Sequence, residues 1–346
     1  MDNKDTQNFE NPQQGNKTYV TYIPYGLNPT TYEERKEVRK TANMIGAVLL
    51  IVLAFSESVS YLLSLAYTVF GFFDRGLATK IFTDPAFDKL VNAAASFVIF
   101  TVPFFIVFKI CKIRMSGLAR FKPPKAKEFF PYFLMGVGFC AVANIAVSYL
   151  AELFSIFGIE YNVNFGDNPD GILGFIICFF TTAVTPALVE EFAYRGMIMG
   201  STKKYSESLA IVSTAILFGL VHCNFEQIPF ACLVGLILGF VAIKTKSIWT
   251  AVAIHFTNNF VSVFFDYAFL NYSDAVKNIC YVAYLIVAII LGVFGVYLLS
   301  RRNDSFTLKP KKTESGKAQL YKWFFTSPTI IIFAALCLIK SFRYFS

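Results

Sequence analysis

Charged side chains are scarce in this chain: Asp, Glu, Lys and Arg make up 16% of its 346 residues, and histidine occurs only twice. A soluble domain cannot cover its surface with so little charge, and a mean hydropathy of +0.54 excludes that class as well. Seven cysteines (Cys111, Cys140, Cys178, Cys223, Cys232, Cys280 and Cys337) are scattered, with no C-x-x-C spacing and an odd total. That excludes a disulfide framework or a thiolate zinc cluster and suits small buried hydrophobes. Residues 1–41 are polar and lack the short apolar core and small-residue cleavage site of a secretory signal peptide, so the first apolar span is expected to direct insertion. The formal net charge of +8 sits in short loops between apolar runs, which reads as membrane topology and not as a nucleic-acid surface.

What abounds is apolar: 55% of residues are hydrophobic and 40 are phenylalanine. A bilayer core about 30 Å thick takes roughly 20 apolar residues per helical span. Stretches that qualify are 43–73, 90–111, 129–157, 172–199, 208–223, 228–244, 248–270, 279–300 and 324–342. The expected fold is therefore an all-α, polytopic transmembrane helical bundle of eight or nine spans. A disordered cytoplasmic tail at 1–41 is expected to precede a transmembrane domain at 42–346. The loop "KIRMSGLARFKPPKAKE" carries six Lys or Arg and one Glu, whereas "IEYNVNFGDNPD" carries three acids and no base. The basic loop belongs inside and the acidic one outside. The later loops continue the alternation, which gives a multi-pass protein with a cytoplasmic N-terminus. Its compact loops suit a bacterial cell membrane. The last span takes Lys340 and Arg343 outside, against the rule.

Ionisable groups inside such spans are functional candidates, since each costs about 2.5–3.5 kcal/mol at a helix centre. The first cluster is "VEEFAYRG", residues 189–196. Glu191 and Arg195 are four apart and can pair on one helix face. Glu190 points about 100° away and is left for another partner. The second is "FGLVH", Phe218 to His222, and the third "HFTNN", in which His255 and Asn259 share a face. A lone histidine in an apolar run is ordinarily a satisfied core residue. Here both histidines of the chain lie in spans that follow a stranded glutamate.

Glu190, His222, His255 and Asn259 have the chemistry of peptide hydrolysis. A carboxylate helped by an imidazole can deprotonate a water and later protonate the leaving amine. A second imidazole and a carboxamide can donate hydrogen bonds to the tetrahedral oxyanion. Glu190, His222 and His255 would equally serve as three ligands of a catalytic zinc with a fourth position for water. The residues suit both a zinc and a metal-free mechanism. H-E-x-x-H, Gly-x-Ser-Gly and Gly-x-Gly-Asp sites are absent from the sequence, as is an aspartate-rich diphosphate motif.

Taken in order, "EEFAYR", "FGLVH" and "HFTNN" resemble the CPBP family: the type II CAAX prenyl endopeptidases and their bacterial Abi or bacteriocin-processing relatives. Its pattern is Glu-Glu-x-x-x-Arg, Phe-x-x-x-His, then His-x-x-x-Asn or Asp. The resemblance covers about residues 171–270 and implies a membrane-embedded peptidase. It assigns water activation to Glu190 and His222 and the oxyanion to His255 and Asn259. Glu191, Arg195 and Phe218 become structural support. It implies a peptide or protein substrate at the bilayer, membrane-associated or prenylated in type. Both metallo- and glutamate-dependent mechanisms are held for the family. A non-catalytic membrane protein, whether transporter, immunity protein or scaffold, would use the same clusters as structural glue. For these residues to converge, span four is expected to run through Gly200 with a kink near Pro186. Glu57 is expected to mark a break in the long first span or a polar cavity wall. Glu152 and Asp266 read as interfacial, and "FKPPKAKEFF" as a cytoplasmic interfacial anchor.

Overall fold

A computed structural model describes residues 29–113, 121–158, 166–303, 305–309 and 313–342, and their regular structure is all helical. The helices are α1 (Pro29–Phe73), α2 (Arg75–Phe82), α3 (Pro85–Ile110) and α4 (Ala126–Ile156). Next come α5 (Gly171–Thr202), α6 (Glu207–Leu220), α7 (Gln227–Thr245) and α8 (Trp249–Ala268). The chain ends with α9 (Asp274–Ser300), α10 (Lys317–Phe325) and α11 (Pro328–Ser341). Local chemistry sets several starts. Asp84 accepts hydrogen bonds from the Ala86 and Phe87 amides and precedes Pro85, and Ser206 accepts from the Leu209 amide.

Among the described residues six helices are long and apolar enough by length and composition to cross a membrane, or seven if the bent pair α10 and α11 forms one span, fewer than the expected eight or nine. Two stretches account for the difference. The run at 208–223 yields only the 14-residue α6. Helix α8 has 20 residues but is diluted by Thr257 and by His255, Asn258, Asn259, Ser262 and Asp266, the last five forming the polar face that builds the candidate site. The expected span 324–342 is bent by 65° where α10 meets α11.

The tail expectation also changes. Helix α1 begins at Pro29, so 29–41 is helical, and residues 1–28 lie outside the described residues. Its polar side chains have long-range partners: Glu34 accepts from the Glu314 and Ser315 amides, and Arg39 donates to the Thr326 carbonyl. Contacts of that kind replace the hydration that would otherwise keep a polar segment unfolded. Nor is α1 broken at Glu57, which forms an ion pair with Lys340 and does not line the cavity described below. Arg343 and residues 114–120 and 159–165 of the two quoted loops lie outside the described residues.

Two large apolar clusters hold the bundle, with a small third of Ala141, Leu285 and Ala288 between α4 and α9. One joins α1, α3, α5, α6, α10 and α11 around Leu49, Phe104, Met197, Leu217 and Phe333; the other joins α4, α6, α7 and α8 around Met135, Leu238 and Ile254. Helix α9 packs on α4 at Gly292 and Gly138, where a Cβ added to Gly292 would lie 2.7 Å from the Gly138 Cα. Side-chain contacts tie the helix ends into two opposite faces. On one, Lys244 donates to the Thr307 carbonyl, Arg302 pairs with Glu128 at 3.7 Å, and the Trp249 indole donates to the Phe121 carbonyl. On the other, Lys277 pairs with Asp266 at 3.4 Å, and the Tyr267 hydroxyl donates to the Pro169 carbonyl.

Candidate functional site

The site is built on an irregular helix. Within α5, π-helical turns span Phe179–Val184 and Phe192–Ile198, and the α-helical stretch Thr185–Glu191 lies between them. A π turn inserts a residue into the ladder and shifts the phase of everything after it. Pro186 contributes locally: it has no N–H for the carbonyl one turn back, that of Thr182. The Asn259 amide donates to that carbonyl instead, at 3.2 Å, and so joins α8 to α5. Where a kink near Pro186 is expected, π turns flank the α-helical stretch that holds Pro186, and α5 continues past Gly200 to Thr202.

Glu191 and Arg195 pair as their spacing suggests, Arg195 Nη1 to Glu191 Oε1 at 2.9 Å, and both side chains are fully buried. Arg195 Nη2 also donates to the Gly235 carbonyl on α7 at 3.2 Å, and its guanidinium lies 4.6 Å from the Phe218 ring centroid. Phe218 is the hub of the site. Its ring meets those of Tyr194, His222 and His255 edge-on, at centroid distances of 5.1, 5.2 and 5.8 Å. The aromatic position of "FGLVH" thus has a physical role: it sets both imidazoles and covers the guanidinium face.

The two histidines are oriented alike. His222, in the turn after α6, places Nδ1 2.8 Å from the Phe218 carbonyl. A carbonyl only accepts, so Nδ1 carries the proton and Nε2 is left for the cavity. His255 places Nδ1 3.0 Å from Glu191 Oε1, and its Nε2 lies 3.9 Å from Glu190 Oε2. Glu191 is a carboxylate shared by a guanidinium and an imidazole, so its contacts extend beyond the Arg195 pair that the spacing shows. Glu190, stranded in the sequence, faces His255.

All four candidate residues line one cavity of about 710 Å³. Glu190, His222, His255 and Asn259 share its inner wall with Pro186, Phe218 and Val234, while Asp88, Lys89, Asp266 and Lys277 stand at its other end. Sequence reasoning missed several residues here. Asn258 donates to Asn259 Oδ1 at 3.3 Å and accepts from Asn144 at 3.5 Å, which leaves a carboxamide chain running from α4 to the site. A second asparagine beside Asn259 and an asparagine inside an apolar span were the available signals.

The fit to zinc is poor. Among the described residues no group of three or more His, Cys, Asp or Glu side chains is arranged to hold a metal ion. The Nδ1 contacts of His255 to Glu191 and of His222 to a carbonyl leave both Nε2 atoms open, as in metal-binding histidines, but with no such grouping of Glu190, His222 and His255 no step below passes through a metal.

Residues 172–261 match the family model described as Rce1-like, type II CAAX prenyl endopeptidase Rce1-like. No curated protein and no solved structure matches the chain. The matched stretch runs from the start of α5 into α8 and holds "EEFAYR", "FGLVH" and "HFTNN" complete. The segment that builds this site is thus similar to the type II CAAX prenyl endopeptidase Rce1-like family, and that match supports the resemblance to the CPBP family.

Proposed function

We propose that the chain is an intramembrane endopeptidase that hydrolyses peptide bonds of membrane-associated substrates by glutamate-dependent water activation. The observation that carries this reading is the Glu190 carboxylate facing His255 Nε2 at 3.9 Å across a cavity that His222 and Asn259 also line. That gap is too long for a direct hydrogen bond and suits a water bonded to both groups.

In the proposed reaction Glu190, with His222, takes a proton from water as the water oxygen bonds to the scissile carbonyl carbon. The carbonyl π electrons move to oxygen. The resulting oxyanion accepts from the second N–H of the Asn259 carboxamide, whose first N–H is held by the Thr182 carbonyl. With Nδ1–H given to Glu191, neutral His255 presents a lone pair at Nε2, whereas its imidazolium presents an N–H there. The imidazolium, next to the Glu191 carboxylate, is the form that donates to the oxyanion. As the C–N bond breaks, the proton held by Glu190 passes to the leaving amine.

The test uses purified full-length protein and a pool of labelled peptides. Glu190→Ala should lower cleavage by at least about 100-fold, the scale of general acid–base catalysis. Equal cleavage by wild type and variant would remove Glu190 from the mechanism. Phenanthroline should leave wild-type cleavage unchanged; loss of activity with recovery on added zinc would overturn the metal-free reading.

A further inference from the structure

The cavity reaches one end of the bundle. Its outer lining comes from the start of α3 (Asp88, Lys89, Asn92), the end of α8 (Asp266) and the start of α9 (Lys277, Asn278). Asp88, Asn92 and Asn278 are exposed. The opposite face carries the basic segments: Lys122 and Lys125 before α4, Lys203 and Lys204 after α5, Lys246 after α7, and Arg301 and Arg302 after α9. None of these seven basic residues lines the cavity. The cavity end is instead rich in acids, with Asp84, Asp88, Asp167, Asp170, Asp266 and Asp274 against Arg75, Lys80, Lys89 and Lys277. Short loops rich in Lys and Arg stay in the cytoplasm. The mouth of the cavity therefore faces the other side of the membrane.

The lining also has a chemical character. Six carboxamides contribute to it: Asn92, Asn144, Gln227, Asn258, Asn259 and Asn278. A carboxamide both donates and accepts, as a peptide group does, and so matches an extended polypeptide backbone. From Asp266 at the rim to His255 along α8 the rise is about 16 Å at 1.5 Å per residue. An extended chain covers that depth with about five residues.

We infer that the substrate is an extended polypeptide segment on the non-cytoplasmic side of the membrane, which enters from that side and is cut about five residues in. This rests on the peptidase reading above and adds the side and the chemical class of the substrate.

Helix α3 tests the sidedness by itself, because it carries Asn92 at the mouth and ends beside Cys111, an exposed free thiol on the basic face. Cells producing full-length Asn92→Cys protein are converted to spheroplasts and to inside-out vesicles, treated with a membrane-impermeant maleimide, and labelling at 92 and 111 is mapped by mass spectrometry. Position 92 should label in spheroplasts and Cys111 in inside-out vesicles. The reverse pattern would overturn the inference. The second arm adds impermeant quenched-fluorescent peptides without lipid modification to wild-type spheroplasts, inside-out vesicles and detergent-solubilised protein. Cleavage in detergent and in spheroplasts, with its loss in inside-out vesicles, supports the inference. Cleavage in detergent and inside-out vesicles alone overturns it. Absence of cleavage from every arm, with labelling as expected, strikes instead at the peptidase reading on which the substrate assignment depends.

Discussion

Glu191 Oε1 lies 2.9 Å from Arg195 Nη1 and 3.0 Å from His255 Nδ1, so one buried oxygen anchors a cation and sets the tautomer of an imidazole. If that orientation serves catalysis, Glu191→Gln should reduce kcat with little change in KM. Hydrogen bonds to charged groups contribute about 1.5–3 kcal/mol, so the expected loss is about 10- to 100-fold. Steady-state kinetics on purified variant decides between roles, since a purely structural glutamate would lower thermal stability and leave the kcat of folded enzyme intact. Part of this arrangement is legible in the sequence. Helical spacing pairs Glu191 with Arg195 and separates Glu190 from both. The partner His255 lies 64 positions away, and periodicity within one helix carries no information about which helices meet. The same limit hid the Phe218 hub, whose four aromatic and cationic contacts come from two helices and a turn.

At the scale of the element, α5 trades regularity for the placement of its polar groups. Proline in a helix interior removes one ladder hydrogen bond, and here the freed carbonyl of Thr182 is taken by Asn259. Pro186→Ala would supply a backbone N–H that competes for that carbonyl. The variant should unfold at the same or a higher temperature and lose activity. A neutral hydrogen bond contributes about 0.5–1.5 kcal/mol, so the expected decrease in kcat is roughly 2- to 10-fold. The decisive comparison is the double variant Pro186→Ala/Asn259→Ala, which should be no slower than Asn259→Ala alone; multiplicative losses would show that the two residues act independently. The proline announced an irregularity in the sequence, but a π turn leaves no composition signal and shifts the phase that an even 3.6-residue period assumes. For a related reason α8 was expected as an ordinary span. Its length suits one, and its polar residues, concentrated toward the cavity, are what lower its hydropathy.

For the whole molecule, the first and last long elements are joined by Glu57 and Lys340, 283 positions apart. The sequence showed each as an anomaly, a glutamate inside an apolar run and a lysine on the wrong side of the charge rule, and only the tertiary fold makes each the explanation of the other. An unpaired charge within a span costs about 2.5–3.5 kcal/mol on insertion scales, whereas a pair can offset much of that penalty. Lys340→Met alone should therefore strand Glu57 and destabilise the bundle. Glu57→Gln alone should strand Lys340 less severely, since a long lysine side chain near a helix end can snorkel toward the interface. The double variant Glu57→Gln/Lys340→Met removes both charges and should recover stability relative to Lys340→Met, with a coupling of about 0.5–3 kcal/mol. Thermal unfolding of all four proteins in one detergent measures that coupling. Additive single effects would mean that α1 and α11 are held by the apolar packing of Val48, Leu49, Ile330 and Phe333 alone, and that the ion pair only accommodates two charges the helices carry for other reasons.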